Sequence, residues 1–570
     1  MPFNLNTFNL TLFLIILYNM LLRYSVSFLI TFLFSLNSLW AQQPSSQQSP
    51  TDVISPWYFH VEFEPIIGET VPGYHSFAYA THGSKWVIIG GRTNGLHGLN
   101  SNSNFETEYS NNNIIVIDTT DWQWSTASLN QLSVLQADPL RSTNMQFTQK
   151  GDRLYIAGGY GWDSTNAMFA TFPFFIGVDV PGLITAVETG DSIRPHLRFY
   201  IDSSMAVCGG EMEEINDTFY IVGGHKFEGR YNDIPNGQFT QTYTNSIRSF
   251  TVVDIIPSGP FAPIGQSEFI DTTNLHRRDL NVAKMQFNEG ARLAILGGVF
   301  KKTENLPYTD PIYFDGQNTQ LFSSYNQQFN QYTSASFTVY DDMLNSGTSS
   351  VVLLGGMGTH NNLNQYDSLV PFVNTISHLY FNANGPTQPF GIPGWEELSS
   401  HTMPGLLGTN AAVLTGKGVD TTHGALSRVD LPFNQAEPRK FIGYLFGGIR
   451  GTAPNNAISS ANDTIYRVYI KGDYVGGVEE IPTSLSLKNM FPNPATDIVT
   501  LQMDLKKPQQ VNITLLSIDG KKQTVNYTGK LQAGNQAINL NTTQLSSGVY
   551  LVSIQTPEGR LVKRLNIIKD

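Results

Sequence analysis

The sequence predicts an all-β protein in which a strand-rich unit repeats along most of the chain and a smaller β domain follows. Apolar runs of four or five residues that end in two glycines recur through the middle of the chain. Charged residues make up only 14% of the 570 residues, whereas Gly and Pro number 50 and 29. This composition is typical of short strands joined by turns, and it argues against a helical protein.

Six glycine pairs define the repeat. Each pair closes an apolar strand, and successive pairs are 58 to 92 residues apart: Gly90-Gly91, Gly158-Gly159, Gly223-Gly224, Gly297-Gly298, Gly355-Gly356 and Gly447-Gly448. Other strand-like runs precede the pairs, and third strands follow several of them at 112–127, 244–254, 373–385 and 462–473. Six units of three or four antiparallel strands predict a six-bladed β-propeller over residues 57–475. We expect each pair to end a strand where a side chain would crowd the neighbouring blade or where the turn requires a positive φ.

An N-terminal strand is predicted to complete the last blade. The segment 57–63, WYFHVEF, alternates as a half-buried strand does. An open ring of blades would leave exposed strand edges, and a strand from the other end of the chain removes them. We therefore expect 57–63 to pair beside 462–470.

The C-terminal residues 485–570 are predicted to form a separate small β-sandwich. Alternating runs such as 511–516 and 549–554 are separated by turn sequences, and seven short strands in a domain of this size suit a sandwich. The segment 481–570 carries ten Lys and Arg against five Asp and Glu, although the net charge of the whole chain is −12. This segment is therefore a different body from the repeats, and 476–484 is predicted to be a linker.

The first 41 residues are predicted to be an export signal. Starting from Met20, a basic residue precedes an apolar stretch that ends at the small residue Ala41. We interpret Met20 as the true start and Ala41 as the last residue before cleavage. The polar segment 42–56 reads as a linker, and no later stretch reaches the roughly 18 apolar residues that a membrane-spanning helix needs. The mature chain is expected to be exported without a transmembrane segment.

Charge and cysteine content argue against three classes of protein. The chain contains no long run of Lys and Arg, so a nucleic-acid partner is not predicted. Its single cysteine, Cys208, rules out an intrachain disulfide framework and a multi-cysteine zinc site.

The repeats resemble the kelch family, whose propeller is shared by galactose oxidase. The matching features are the six glycine pairs, the Asn- or Asp-rich start of the third strand, and Trp122 or Trp124 after the strand IVID. The resemblance to galactose oxidase would imply copper held by two Tyr and two His with a Cys–Tyr thioether, for which Cys208 is available. Cys208 lies in an apolar strand where a small buried residue is ordinary, and His75, His82 and His97 lack metal-like spacing. No cofactor is predicted, and copper stays an alternative.

The tail resembles the C-terminal sorting domain of the type IX secretion system, an export route of the Bacteroidota. The residues that carry this resemblance are Pro492, Asn493, Pro494, Gly548, Tyr550 and Lys569. It implies that the secretion machinery is a partner of the tail. It also implies that the protein is secreted or held on the outer cell surface.

Two features of the repeats are candidates for function. The hairpin GEMEEIND brings together Glu211, Glu213, Glu214 and Asp217, whose carboxylates could serve acid–base chemistry or calcium binding, but a solvated hairpin tip is the expectation. The loops after the glycine pairs are rich in aromatic and amide side chains, with Trp162, Tyr231 and Tyr308 as candidate ligand-binding residues.

Together these features favour a secreted or surface-bound kelch-type propeller that acts as a binding module for a carbohydrate or protein ligand over an enzyme. A galactose oxidase-like or other carbohydrate-active enzyme is one alternative. A structural protein of the surface matrix is another.

Overall fold

A computed structural model describes residues 59–569 of the chain with short gaps. The gaps are 68–70, 98–104, 232–238, 256–257, 288–289, 305, 324, 326, 328, 342–347, 361–365, 368, 370, 383–384, 387–395, 418, 420–425, 428–438, 456–457, 473–483, 518–521 and 557–558. The predicted export signal 1–41 with Ala41, the linker 42–56 and all but the last residue of the linker 476–484 lie outside the described residues. No described helix is long and apolar enough to cross a membrane.

The first three large sheets of the repeat region each contain four antiparallel strands. Strand β1 (Phe59–Pro65) precedes them in the chain and belongs to sheet 6. Sheet 1 contains β2 (Ala78–His82), β3 (Lys85–Ile89), β4 (Asn113–Asp118) and β5 (Trp124–Ser128). Sheet 2 contains β6 (Gln146–Lys150), β7 (Arg153–Ala157), β10 (Phe174–Asp179) and β11 (Leu197–Ile201). Sheet 3 contains β12 (Glu211–Ile215), β13 (Thr218–Val222), β16 (Ser246–Asp254) and β17 (Phe261–Ile270).

Three further sheets continue the series. Sheet 4 contains β18 (Arg278–Phe287), β19 (Gly290–Val299), β20 (Ile312–Phe314) and β21 (Thr319–Leu321). Sheet 5 contains β22 (Ala335–Asp341), β23 (Thr348–Leu354), β24 (Thr375–Asn382), β25 (Gly385–Pro386) and β26 (Glu396–Thr402), with β28 (Leu426–Ser427) parallel to β22. Sheet 6 contains β27 (Leu406–Thr415), β29 (Lys440–Gly451), β30 (Ser459–Ala461), β31 (Tyr466–Gly472) and β1.

Helices are few among the described residues. They are α1 (Val134–Leu140), α2 (Val180–Thr189) and four short 3₁₀ helices at Thr107–Tyr109, Leu129–Gln131, Arg194–His196 and Ser203–Met205. Pro181 stands in the first turn of α2, and Gly190 ends the helix in the left-handed conformation. Leu183 and Val187 of α2 are buried in the core between sheets 1 and 2. The helix therefore adds apolar surface to one interface of an otherwise β structure.

The buried side chains form a cyclic series of cores. Each neighbouring pair of sheets, from sheets 1 and 2 to sheets 5 and 6, shares one cluster of apolar residues. A sixth cluster joins sheet 6 back to sheet 1, where the rings of Phe77 and Phe446 lie 5.4 Å apart. Every one of the six sheets is thus covered on both faces, which is why their strands read as nearly continuous apolar runs.

A ring of six backbone hydrogen bonds joins the sheets at one end. In each sheet, one residue of the first strand, or just before it, donates its N–H to the equivalent carbonyl of the preceding sheet. The ring consists of Asn144 to Ser76 (3.1 Å), Gly209 to Asn144 (3.1 Å), Asp279 to Gly209 (2.6 Å), Thr333 to Asp279 (3.1 Å), Asn410 to Thr333 (2.7 Å) and Ser76 to Asn410 (3.2 Å). All six residues have φ between 52° and 63°. We refer to them as the ring residues.

The glycine pairs lie at the same end as the ring residues. All twelve glycines have positive φ, between 59° and 95°. A Cβ on Gly158 would overlap the carbonyl oxygen of Val207, and a Cβ on Gly223 would lie 2.8 Å from the carbonyl oxygen of Arg277. In five of the pairs the second glycine donates its N–H to a carbonyl at or just before the first strand of the next sheet, as Gly159 does toward Val207 at 2.8 Å. The pairs therefore combine an unusual backbone conformation with a close approach that leaves no room for a side chain.

The N-terminal strand closes the series, as the sequence predicts. Strand β1 pairs antiparallel with β31 from Phe59 opposite Gly472 to Pro65 opposite Tyr466. Phe59 and Val61 are buried in the core between sheets 5 and 6. The predicted pairing of 57–63 with 462–470 is confirmed, with the bounds of both strands moved a few residues along the chain.

A separate small sheet forms from two of the long loops. It contains β8 (Tyr160–Asp163), β9 (Met168–Thr171), β14 (His225–Glu228) and β15 (Thr240–Tyr243). These strands directly follow the glycine pairs of sheets 2 and 3. The loops at this end are therefore ordered by pairing with each other.

The C-terminal residues form two sheets around one core. One sheet contains β32 (Leu485–Phe491), β33 (Ile498–Leu505) and β36 (Gly534–Asn541). The other contains β34 (Gln509–Ser517), β35 (Lys522–Leu531), β37 (Gly548–Thr556) and β38 (Gly559–Ile567). Buried residues of both sheets, such as Leu501 and Val552, belong to a single apolar cluster.

Substitution of two glycines of sheet 2 can separate the destabilisation caused by backbone strain from the destabilisation caused by steric overlap. We expect Gly158→Ala to destabilise the repeat region by more than about 3 kcal/mol, because it combines backbone strain with overlap on a carbonyl. Gly151→Ala should cost only about 1 to 2 kcal/mol, because Gly151 has φ +56° but no atom within 4 Å of its added Cβ. Denaturant unfolding of both variants measures the difference, and equal losses would contradict the role given to Val207.

Candidate functional site

The first strands of the six sheets border one central cavity of about 460 Å³. Each first strand pairs on one side only for most of its length, so its other edge of backbone N–H and C=O groups faces this space. The ring residues lie at one end of the cavity, and the hairpin turns of the sheets lie at the other. A cavity of this volume is in the range of small-molecule sites. We refer to it as the central cavity.

Glu211 and Glu213 border the central cavity. They are two residues apart on β12 and therefore share a face of that strand, while Met212 is buried in the core between sheets 2 and 3. The expectation of a solvated hairpin tip is correct for Asp217, whose side chain is 84% exposed, but wrong for these two glutamates. The reason is tertiary, because the hairpin strand itself is the inner edge of sheet 3.

The surroundings of these carboxyl groups disfavour their charged forms. Burial, followed by the charges of Glu213 and Asp279, raises the pKa of Glu211 from 4.5 to about 8. Burial also raises the pKa of Glu213 to about 7, although Lys284 and the backbone N–H of Glu214 oppose the shift. Two carboxyl groups that titrate near neutral pH inside a cavity are typical of a functional site.

The positive charges at the cavity are already paired. Lys284 donates to the backbone carbonyl of Glu214 at 2.6 Å and lies 3.7 Å from its carboxylate. Lys150 lies 3.5 Å from the same carboxylate. Arg278 forms an ion pair with Asp279 at the ring end. Glu211 has no hydrogen-bond or ion-pair partner within the described part of the chain.

Aromatic rings border the same space. Tyr79 and Phe147 line the cavity with their ring centroids 5.1 Å apart, in an edge-to-face arrangement. Burial, and then the charges of Glu213 and Glu211, raise the pKa of Tyr79 to about 12. Tyr79 of sheet 1 and the two glutamates of sheet 3 therefore border the same cavity.

The predicted ligand-binding residues of the loops are mostly packed. Tyr308 is 6% exposed, donates its hydroxyl to the carbonyl of Thr273 and lies under the guanidinium of Arg277 at 4.2 Å. Tyr231 is partly buried against several aromatic rings of neighbouring loops. Trp162 is 37% exposed, with its edge against Phe169. Of these three side chains, Trp162 is the one accessible to a ligand.

The three histidines noted in the sequence analysis have separate surroundings and do not form one site. His75 is buried beside Arg92, and burial lowers its pKa to about 3. His82 lies at a hairpin turn, 3.1 Å from Asp152. The ring of His97 stacks on Phe105. These contacts give each histidine a packing or surface role.

The surroundings of Cys208 do not favour the Cys–Tyr thioether that the resemblance to galactose oxidase implies. The thiol of Cys208 is buried 3.6 Å from the hydroxyl of Thr171 and 3.4 Å from the backbone carbonyl of His225. Burial raises the pKa of Cys208 to about 12, which disfavours the thiolate. In the ranges that the structure describes, no group of three or more His, Cys, Asp or Glu could hold a metal ion.

The sorting residues of the tail meet at one end of that domain. Asn493 stands between Pro492 and Pro494, and its side chain accepts a hydrogen bond of 2.8 Å from the backbone N–H of Asn566. Lys569 pairs with Asp497 at 3.2 Å. Gly548 begins β37, and two residues later the hydroxyl of Tyr550 donates to the carbonyl of Ser546 at 3.0 Å. Three segments that are distant in sequence are thereby brought together.

Comparison with known proteins identifies the tail. Residues 489–569 match the family described as the secretion system C-terminal sorting domain. The chain therefore carries a type IX secretion sorting domain. A search of curated proteins found no match. A solved structure titled "Structure of YjhT" is 13% identical and covers 69% of this chain and 99% of that chain at a TM-score of 0.38, a value from which we draw no argument.

The carboxyl groups of the central cavity should make stability depend on pH. The folded state keeps protons on Glu211 and Glu213 that the unfolded state releases above about pH 4.5, so the free energy of unfolding should fall as pH rises toward 8. Glu211→Gln should raise the melting temperature at pH 8 and leave it nearly unchanged at pH 4.5.

Thermal unfolding between pH 4.5 and 8 tests this dependence. Glu108→Gln, at an exposed position, is the matched control and should leave the pH dependence intact. A Glu211→Gln variant with the same pH dependence as the parent protein would contradict the assignment.

Proposed function

We propose that residues 57–475 form a six-bladed kelch-type propeller that binds a carbohydrate ligand in its central cavity. The cyclic ring of backbone hydrogen bonds and the six shared cores support the propeller, because both return from sheet 6 to sheet 1. The central cavity is the observation that supports ligand binding. It combines unpaired backbone edges, amide and hydroxyl side chains and aromatic rings around one space.

Export by the type IX secretion system is supported by the sorting domain. We propose that the propeller is the exported cargo and that it acts outside the cell, either released or attached to the outer surface. An origin in the Bacteroidota accords with this route, as the resemblance of the tail implies.

The cavity is a better candidate for the ligand site than the loops. The rings of Tyr231 and Tyr308 contact other side chains of the protein. Tyr79 and Phe147, by contrast, border a space large enough for a sugar residue. Sugar rings bind to aromatic faces while their hydroxyl groups bond to polar side chains, and the cavity offers both kinds of surface.

A second candidate function is acid–base catalysis on the same ligand. Glu211 and Glu213 favour it, since two carboxyl groups with pKa near neutrality can donate and accept protons at the operating pH. The binding role requires no chemical step and remains the preferred proposal.

Filling the cavity should abolish ligand binding. Ser336 lines the cavity from sheet 5, and Ser336→Trp should weaken binding of a glycan identified on an array by at least about tenfold in calorimetry. Trp162→Ala is the matched variant at the loop face and should bind as the parent protein does. The reverse outcome, loss of binding in Trp162→Ala alone, would place the ligand on the loops.

Removing the tail should stop export without unfolding the propeller. A chain that ends at residue 475 should accumulate in the periplasm, because the sorting domain is absent. Cell fractionation measures this, and the Ser336→Trp chain with its tail intact serves as the exported control. Secretion of the shortened chain would contradict the proposal.

A further inference from the structure

The central cavity contains an uncompensated acidic group. Glu211 has neither a hydrogen-bond nor an ion-pair partner among the residues described, while Glu213 accepts the backbone N–H of Glu214 and faces Lys284. Lys284 itself donates to the Glu214 carbonyl, and Arg278 is committed to Asp279. The carboxyl group of Glu211 is therefore available to a ligand that enters the cavity.

The charge balance of the lining restricts what that ligand can be. Four acidic side chains and one basic side chain line the cavity: Glu211, Glu213, Glu214, Asp279 and Lys284. An anionic ligand would find no unpaired positive charge there, because Lys284 already serves Glu214 and Arg278 serves Asp279. A cation would gain a charge-assisted hydrogen bond to the Glu211 carboxylate inside the cavity.

Aromatic groups strengthen the case for a cation. Tyr79 lines the same cavity as Glu211 and Glu213, and its ring packs against Phe147. Carboxylates beside aromatic rings are the surroundings in which organic ammonium groups bind, through ion pairing and the ring quadrupole together. A metal ion is a poorer fit, since no group of three His, Cys, Asp or Glu ligands exists in the described ranges.

We propose that the central cavity binds a sugar carrying a primary ammonium group, with that group held by the Glu211 carboxylate next to the ring of Tyr79. This inference rests on the proposed function of the cavity as the ligand site. It adds that Glu211 and Glu213 determine specificity by selecting amino sugars over neutral and acidic ones.

Proton release accompanies binding. In the empty cavity at pH 6.5 Glu211 holds a proton. The incoming ammonium keeps its own proton and stabilises the carboxylate, so the proton of the carboxylic acid passes to the buffer. A neutral sugar exerts no such effect, and its binding leaves the protonation of the cavity unchanged.

Titration calorimetry of the mature chain at pH 6.5 with glucosamine, N-acetylglucosamine and glucuronate tests the proposal. We expect glucosamine to bind at least about tenfold more tightly than N-acetylglucosamine, and glucuronate to bind most weakly. Repeating the glucosamine titration in buffers of different ionisation enthalpy should give close to one proton released per ligand bound.

Variants separate this inference from the proposed function. Glu211→Gln should lower the affinity for glucosamine to that for N-acetylglucosamine and eliminate proton release, whereas Glu108→Gln should change neither. A stable melting transition in both variants establishes that they are folded.

Three outcomes would overturn the inference. They are tighter binding of N-acetylglucosamine than of glucosamine, unchanged glucosamine affinity in Glu211→Gln, and no detectable binding of glucosamine. Binding of a neutral glycan that Ser336→Trp abolishes would leave the cavity as the ligand site, so the two proposals fail separately.

Discussion

The ring of six backbone hydrogen bonds is the constraint on which the other features of the repeat region depend. Each ring residue must donate to the sheet before it and accept from the sheet after it, and it does so with φ near +55°. This geometry brings the starts of six strands to one level around one space. The glycine pairs lie at the same end and allow the second strands to approach the next sheet. Cores, cavity and loops take their positions from this layer.

The sequence predicted those features that depend on neighbouring residues. It did not predict features that depend on contacts between distant segments. A glycine pair after an apolar strand is a local sequence pattern, so the six units could be predicted from it. Closure by β1 could also be predicted, from the alternation of residues 57–63. The alternation of Glu211, Met212 and Glu213 would look the same on a strand facing bulk solvent, because burial there is decided by the other five sheets. Thr333, a β-branched residue with φ of 54°, adopts a conformation that local preference disfavours and that the ring imposes. Ser76, Asn144 and Gly209 each precede a glycine pair by 14 residues, a regularity that could have revealed the ring.

The central cavity retains groups that a purely structural interior would exclude. Carboxyl groups with pKa near neutrality are less favourable in a folded protein than apolar side chains of similar size, and they make stability fall toward neutral pH. The loops at the ring end differ from the cavity, because their aromatic side chains pack mainly against one another.

Sheet 6 has a consequence for the order in which the chain matures. Its outer pair joins Phe59 to Gly472, so the sheet contains the first and the last strands of the repeat region. Until residue 472 has left the ribosome, β1 has no neighbour and sheet 1 lacks the core that it shares with sheet 6. A chain interrupted anywhere in between would keep an unpaired strand edge that proteases and chaperones can detect. The tail is synthesised after this strand, so a sorting signal is carried only by chains whose repeat region has all the strands it needs.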